Sequence, residues 1–487
     1  MLNVFKKSTN LKDISYAYAN VKNIKGNFAV PQDNITNATN CFYGRNNSSQ
    51  LNIVVNFGTA SHNAFLVGMT NAGDGKIYSY NDTAKIVMFN AQTTNMAEAF
   101  GYDETITKAA CGPNVTNMAW TYCECYSLTG SPVCGDKVTV MDYAYFYCSN
   151  LKGSPVCGPH VAHMAYAYSN CPNLTGSPVC GNKVFDMSGT YEGCTNLTGQ
   201  PVCGNNVIYM SFAYDGCSNL TGSPVCGDNV TDMGYTYRGC RNLTGNPVCG
   251  PDVTNMRGTY YNCINLTGSP VCGDQVTTVY DTYYGCTNLS SNGYFYSDKI
   301  TNVRNCFYGR NTKNTLNIFV NFGTNSYSSF RTNNITGSNL TWTNAKDGTI
   351  YCYNNTANIV MFNAQVTNMY NAFRGDLTIA KAACGPNVKD MSYTYYNCQN
   401  LKGNPVCGNN VTNMGCAYRG CYNITGNPVC GDKVTDMYSA YQECYALTGD
   451  AACGPNVIDM SYAYFYSYVP GKAACGNNVT NMSQAYA

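Results

Sequence analysis

The sequence predicts a repeat solenoid: coils with a period of 23, made of short parallel strands and short helical or 3₁₀ turns, plus two enlarged irregular coils. Three observations predict it. A Cys-Gly pair recurs at Cys111, Cys134, Cys157, Cys180, Cys203, Cys226, Cys249 and Cys272, always at a step of 23. The spacing returns at Cys384, Cys407, Cys430 and Cys453, followed by Cys475 after a step of 22. Between these pairs the same slots hold the same residue types. Self-similarity at a fixed period marks repeats that cannot bury an apolar face alone and share one core with their neighbours.

The repeat that opens at Cys226 gives the slots. Counting from that Cys, Val230 is at +4, Met233 at +7, Tyr237 at +11, Cys240 at +14, Leu243 at +17, Gly245 at +19 and Val248 at +22. The Val and Tyr slots hold in all thirteen repeats, and the Met slot fails only at Val279. Met, Tyr, Cys and Leu at gaps of 4, 3 and 3 make one face of a helical or 3₁₀ turn. Met233, Tyr237, Cys240 and Leu243 are therefore read as a structural ladder pointing inward, with the Tyr hydroxyl needing a partner at the core edge. The segment ending in Val248 reads as extended, and its Pro removes one ladder donor, so pairing there is narrow. Asn-Val-Thr-Asp-Met reads as a second short extended piece or turn. The variable slots +2, +3, +5, +6, +8 to +10, +12 and +13 are placed mostly on the surface.

The repeats form two arrays. An irregular N-terminal block (1–110) precedes a first array of eight repeats (111–290). A related block (291–383) precedes a second array of five (384–487). Leu51-Asn-Ile-Val-Val-Asn-Phe-Gly-Thr59 recurs as Leu316-Asn-Ile-Phe-Val-Asn-Phe-Gly-Thr324, and Ile86 to Gln92 as Ile359 to Gln365. The offset grows from 265 to 273, so the second block carries eight extra residues, near Asn333. Met96 and Phe100 precede Met118 and Tyr122 by a step of 22, so the coil grammar persists in the blocks. The whole reads as one solenoid with protruding strands or hairpins at Leu51 to Phe57 and Lys85 to Phe89.

The Val-x-x-Met run of Val230 and Met233 and the Tyr-x-x-Cys-x-x-Leu run of Tyr237, Cys240 and Leu243 resemble the BspA-like leucine-rich repeat of bacterial and viral surface proteins. This chain has Tyr where that family usually has Phe, and Cys-Gly where it more often has Pro. The resemblance implies leucine-rich-repeat-like coils, a role in adhesion or recognition, and no catalytic residue.

Composition excludes several classes. Lys and Arg number 28 against 27 Asp and Glu, and charged residues are 11% of the chain. So few cations leave no electrostatic footprint for nucleic acid or an anionic membrane. No run approaches about 18 apolar residues. With 44% hydrophobic residues the chain is not disordered. No paired carboxylates, nucleophile with a His base or phosphate loop appears, so no enzyme and no cofactor are expected. The three histidines, His62, His160 and His163, are read as solvated surface.

Twenty-nine cysteines cannot all pair within one chain. Three readings stand side by side: buried free thiols behaving as small apolar groups, bridges between stacked slots, and metal ligation. The last fits poorly, because the spacings of 14 and 9 are not those of paired Cys-x-x-Cys knuckles. Met1-Leu-Asn-Val-Phe-Lys-Lys shows no apolar leader, which suits synthesis in a reducing compartment. The Asn-Leu-Thr and Asn-Val-Thr triplets match the glycosylation pattern but arise from the coil grammar.

The aromatic residues at slot +9 are the candidate ligand-binding residues: Trp120, Tyr143, Tyr166, Phe212, Tyr235, Tyr393 and Tyr462. Rigid rings among Asn, Ser and Gly resemble binding loops and can stack on sugars. Partial burial between coils is the alternative. The expected function is non-enzymatic recognition or adhesion of a cell-surface glycan or protein, as a phage tail or virion-surface receptor-binding component. Virion or extracellular surface is the expected location. The second reading is a filament or decoration subunit, self-associating or contacting other virion proteins through an uncapped terminal coil. Ice binding by Thr ranks fails at slot +5, where Ala162, Phe185, Ile208, Lys389 and Ile458 stand.

Overall fold

The computed structural model describes residues 10–21, 34–44, 55–56, 87–88, 93–104, 106–289, 294–295, 297, 299–309, 319–322, 359–362, 366–377, 379, 381–385, 387–451, 453–473 and 475–487. The chain divides into an N-terminal unit, Met1–Asn229, and a C-terminal unit, Val230–Ala487. Each is a stack of coils.

The slots that the spacing predicts to point inward do so. Val230, Met233, Tyr237, Cys240 and Leu243 are all fully buried. Identical positions meet on adjacent coils. In the N-terminal unit the rings run Tyr18, Phe42, Phe100, Tyr122, Tyr145, Tyr168, Tyr191 and Tyr214 at centroid spacings of 5.4, 5.7, 5.5, 5.4, 5.4, 5.8 and 5.6 Å. In the C-terminal unit they run from Tyr237 through Phe307 and Phe373 to Tyr486. Phe100 follows Phe42 by more than two ordinary periods, and Phe373 follows Phe307 by nearly three. Both pairs nonetheless stack at one-coil distance, 5.7 and 5.9 Å. Across each irregular block the chain thus leaves and rejoins the stack one coil apart, and the second block is longer in sequence by the insertion. Its location near Asn333 lies outside the described residues, as does any protrusion.

The slots between Met and Cys are not helical. Alternate amides point in opposite senses. Ala144, Phe146 and Cys148 close i to i+3 turns on Met141, Tyr143 and Tyr145, while Tyr143, Tyr145 and Tyr147 donate to Ala165, Ala167 and Ser169 of the next coil. A helix would spend every amide within its own segment. Left-handed residues at +9 and +13, here Tyr143 (φ 56°) and Tyr147 (φ 56°), turn alternate peptides along the stack. Gly or Asn at many +13 slots (Gly193, Gly216, Asn170, Asn262) suits that conformation. The result is one segment whose backbone groups bond both within a coil and between coils.

Two slots assigned to the surface are structural. Slot +10 is buried: the single Thr190 hydroxyl proton is shared between the Met164 and Met187 carbonyls, each 2.8 Å from Oγ1, and elsewhere Ala144, Ala167 and Ala213 fill it with no exposure. Slot +6 carries the recurring parallel bridge, as at Asp186↔Tyr209 and Asp232↔Asn255. Its Asn or Asp side chain accepts from the +8 amide, as Asp186 does from Ser188 at 2.9 Å.

The named strands are short and parallel. β1 (Val55–Asn56) pairs with β2 (Val87–Met88). β3 (Val271–Cys272), β4 (Tyr294–Phe295), β5 (Phe319–Phe322) and β6 (Ile359–Phe362) form a four-stranded sheet in that order. The hairpins expected in the irregular blocks are therefore parallel pairs between different passes of the chain.

The Tyr ladder explains why Pro-Val-Cys needs so little strand pairing. The Tyr145 hydroxyl donates to the Val133 carbonyl at 2.8 Å and accepts from the Val133 amide at 2.9 Å. Tyr168, Tyr191, Tyr260 and Tyr418 hold Val156, Val179, Val248 and Val406 in the same way. One phenol satisfies both backbone groups of a Val flanked by Pro. Where the ladder holds Phe100, Phe307 or Phe373, the residue twelve earlier (Met88, Phe295 or Met361) is in a paired strand instead.

Among the described residues the cysteines form no disulfide. The +14 thiol is a donor: Cys171 to the Tyr145 carbonyl, Cys217 to Tyr191 and Cys263 to Tyr237, each at 2.9 Å. Ser467 replaces Cys at +14 and donates to Tyr441 in the same position.

Candidate functional site

The left-handed backbone at +9 throws each of the seven candidate residues onto an edge of its own unit's coil stack. Trp120, Tyr143, Tyr166, Phe212, Tyr235, Tyr393 and Tyr462 have φ between 53° and 58°, and all are half-buried. Their faces are used between coils. Trp120 stacks on Tyr143 at 4.0 Å and 11°, and Tyr143 on Tyr166 at 5.0 Å and 13°. Tyr166 ends that stack over Gly189, where a Cβ would lie 2.2 Å from its ring. Tyr235 lies over Gly258 in the same manner, at 2.4 Å. Tyr462 meets Phe465 edge-on at 5.4 Å.

Exposed rings also stand at +13 and +15, while Tyr16, at +9 of the coil that holds Ile14 and Tyr18, is 65% exposed. Tyr147 is 43% exposed and Tyr466 63% at +13, and Tyr126 and Tyr445 stand at +15. Sequence reasoning passed over these slots because they are not uniformly aromatic. The signal available was the Gly and Asn at +13, which mark a backbone bulging outward.

The edges of the two units differ in charge. In slots +8 to +13 the described coils of the N-terminal unit carry Glu98, Glu124, Asp142, Glu192 and Asp215 and no Lys or Arg. The same slots of the C-terminal unit carry Arg238, Arg257, Arg304, Arg374 and Arg419, with Asp281 and Glu443. These arginines lie on ring faces: Arg238 and Arg257 over Tyr235 at 4.9 and 5.1 Å, and Arg374 over Tyr396 at 4.4 Å. A guanidinium held on a ring face gains from the ring quadrupole by roughly 0.5–1 kcal/mol when exposed.

The N-terminal unit has an opening in its edge. A cleft of about 190 Å³ is lined by Tyr43, Glu98, Gly101, Tyr102, Trp120 and Cys123. Burial pushes the Cys123 thiol up to about 12, with Glu124 adding to the shift, so this sulfur is no nucleophile near neutrality. Burial also raises Tyr102 to about 12.

Of the histidines, His163 sits 4.0 Å from Asp142 and His160 lies 2.8 Å from the Lys183 amine; His62 lies outside the described residues. Among the described residues no group of three or more His, Cys, Asp or Glu is placed to hold a metal ion. No described helix is long and apolar enough to cross a membrane.

No family model and no curated protein matches the sequence. Among solved structures the chain is similar to a leucine rich cell surface protein from Faecalibacterium prausnitzii A2-165. The identity is 14%, covering 77% of this chain and 84% of that one, with a TM-score of 0.35. The coil architecture described above rests on this chain's own ladders and hydrogen bonds.

Proposed function

We propose that the protein is a non-enzymatic recognition protein of the BspA-like leucine-rich-repeat type that works at a cell or virion surface. It binds a cell-surface glycan or protein through the aromatic edges that slots +9 to +15 form in its units. The observation that carries this reading is the make-up of those edges: exposed tyrosines such as Tyr147 and Tyr466 beside rows of half-buried rings. Large rigid rings give contact area at low entropic cost, and the Asn, Ser and Thr between them supply adaptable hydrogen bonds. A receptor-binding part of a virion, such as a phage tail, is the particular setting proposed.

Binding of the purified chain to glycan arrays and to whole cells tests the reading. The account expects saturable binding that Tyr147→Ala or Tyr466→Ala weakens, since both rings are exposed and their loss leaves the core intact. A chain that binds no glycan and no cell envelope, and instead assembles end to end, is the filament subunit of the second reading. Immunogold labelling of virions and cells tests the setting.

A further inference from the structure

The ring stack of Trp120, Tyr143 and Tyr166 stops at the coil before Trp120. There slot +9 is Glu98 and slot +12 is Gly101, and the cleft opens beside the indole. Tyr43 and Tyr102 meet edge-to-face at 5.2 Å on its wall. Gly101 keeps the floor open: a Cβ there would come within 3.2 Å of the Tyr43 ring. Glu124, which accepts from the Tyr126 hydroxyl at 2.6 Å, lies behind Tyr102. The ion pairs seen among the described residues, His163–Asp142 and Arg419–Glu443, do not involve Glu98.

Three ring systems and a carboxylate around one small cleft are the chemistry that holds an alkylated cation. The ring faces attract the charge without needing donated hydrogen bonds, and the carboxylate offsets its desolvation. The C-terminal unit shows the preference in its own side chains, since its edge rings carry arginines. The N-terminal edge has no described Lys or Arg in slots +8 to +13 to do this. The volume is below the roughly 300–1,000 Å³ of drug-sized sites, so a head group fits rather than a whole ligand. We propose that the Tyr43–Glu98–Tyr102–Trp120 cleft binds a quaternary ammonium group, carried either by a free choline-type molecule or by a trimethylated lysine side chain. This names a ligand class for the recognition reading and rests on it.

The test is calorimetric titration of the full chain with choline, with N-acetyl-trimethyllysine amide, and with 3,3-dimethyl-1-butanol, the uncharged isostere of choline. The expected result is saturable binding of a quaternary ammonium compound, with the isostere about tenfold weaker. The tighter of the two cations identifies the source. Glu98→Gln is expected to weaken the cation by about threefold or more at low salt and to leave the isostere unchanged. Equal affinity for the isostere, no saturable binding of either cation, or a methyl glycoside taking the cleft in their place would overturn the proposal. The ligand comparison uses the unaltered chain, so it holds even if a variant misfolds. If the cations fail while binding to cells survives, the recognition reading stands and the ligand class falls.

Discussion

Tyr237 and Tyr260, one repeat apart in sequence, lie ring on ring at 5.7 Å with their planes 7° apart. The Tyr260 hydroxyl reaches past the core to the amide and carbonyl of Val248, at 2.9 and 2.7 Å. One side chain thus joins neighbouring coils through its ring and pins the end of the preceding repeat through its oxygen.

Removing that oxygen should be costly. Tyr260→Phe keeps the ring stack but leaves the half-buried amide and carbonyl of Val248 without their partner. The expected loss is about 1–3 kcal/mol, read as a lower urea midpoint. A midpoint unchanged from the parent would show that water or strand pairing takes over from the phenol.

The +14 slot needs a small donor rather than a cysteine as such. Cys217→Ser should keep the bond to the Tyr191 carbonyl, as Ser467 does to Tyr441. Cys217→Ala loses the donor and should cost about 1 kcal/mol more than the Ser variant. Thermal unfolding of the two variants checks the order.

Gly189 owes its place to a ring. A Cβ at this position would lie 2.2 Å from Tyr166. Gly189→Ala should therefore destabilise the N-terminal unit, and Tyr166→Ala should relieve most of that effect. A double-mutant cycle should show a coupling of about 0.5–3 kcal/mol. Additive effects would mean that backbone strain at φ 58°, and not the clash, sets the need for glycine.

Alkali should unfold the protein. Burial raises Cys134, Cys180 and Cys384 to about 12 and Cys407 to about 11, against an ordinary thiol value of 9.0. The ladder tyrosines, Tyr260's neighbour Tyr283 among them, are pushed well above 10.0 by burial. These groups keep their protons in the folded state after the unfolded chain has lost them. Stability is therefore full below about pH 8 and falls as pH rises through the unfolded thiol and phenol values toward 12. Native-state thiol titration at neutral pH should detect the exposed Cys475 first and the buried +14 set only after denaturation.

Much of the fold was legible because the period forces identical residues into identical environments. Val, Met, Tyr, Cys and Leu repeat, and their burial follows. The backbone between Met and Cys was misread, since gaps of 4, 3 and 3 are also those of a helical face. The distinguishing sign was Gly or Asn at +13, which a helix does not favour. Slot +10 holds only Ala or Thr in the thirteen repeats, from Thr121 to Ala485, a size limit that marks burial beside the Met carbonyls. The +9 rings were legible as lying in slots placed mostly on the surface, with partial burial between coils as the alternative. Their mutual stacking was not, because it depends on which neighbouring coils also carry a ring or a Gly. The cleft beside Trp120 arises from Glu98 and Gly101 in an irregular coil, where the period offers no comparison.

Photo-crosslinking from Ile458 tests the stacked coils most directly. Its amide donates to the Thr435 carbonyl at 2.8 Å, its carbonyl accepts from the Thr480 amide at 2.9 Å, and its side chain is 49% exposed. With p-benzoylphenylalanine at this position, irradiation followed by peptide mass mapping should give links to the segments around Thr435 and Thr480, one coil to either side. Links concentrated at sites unrelated to the repeat step would contradict the in-register stack, and with it the aromatic edge built upon it.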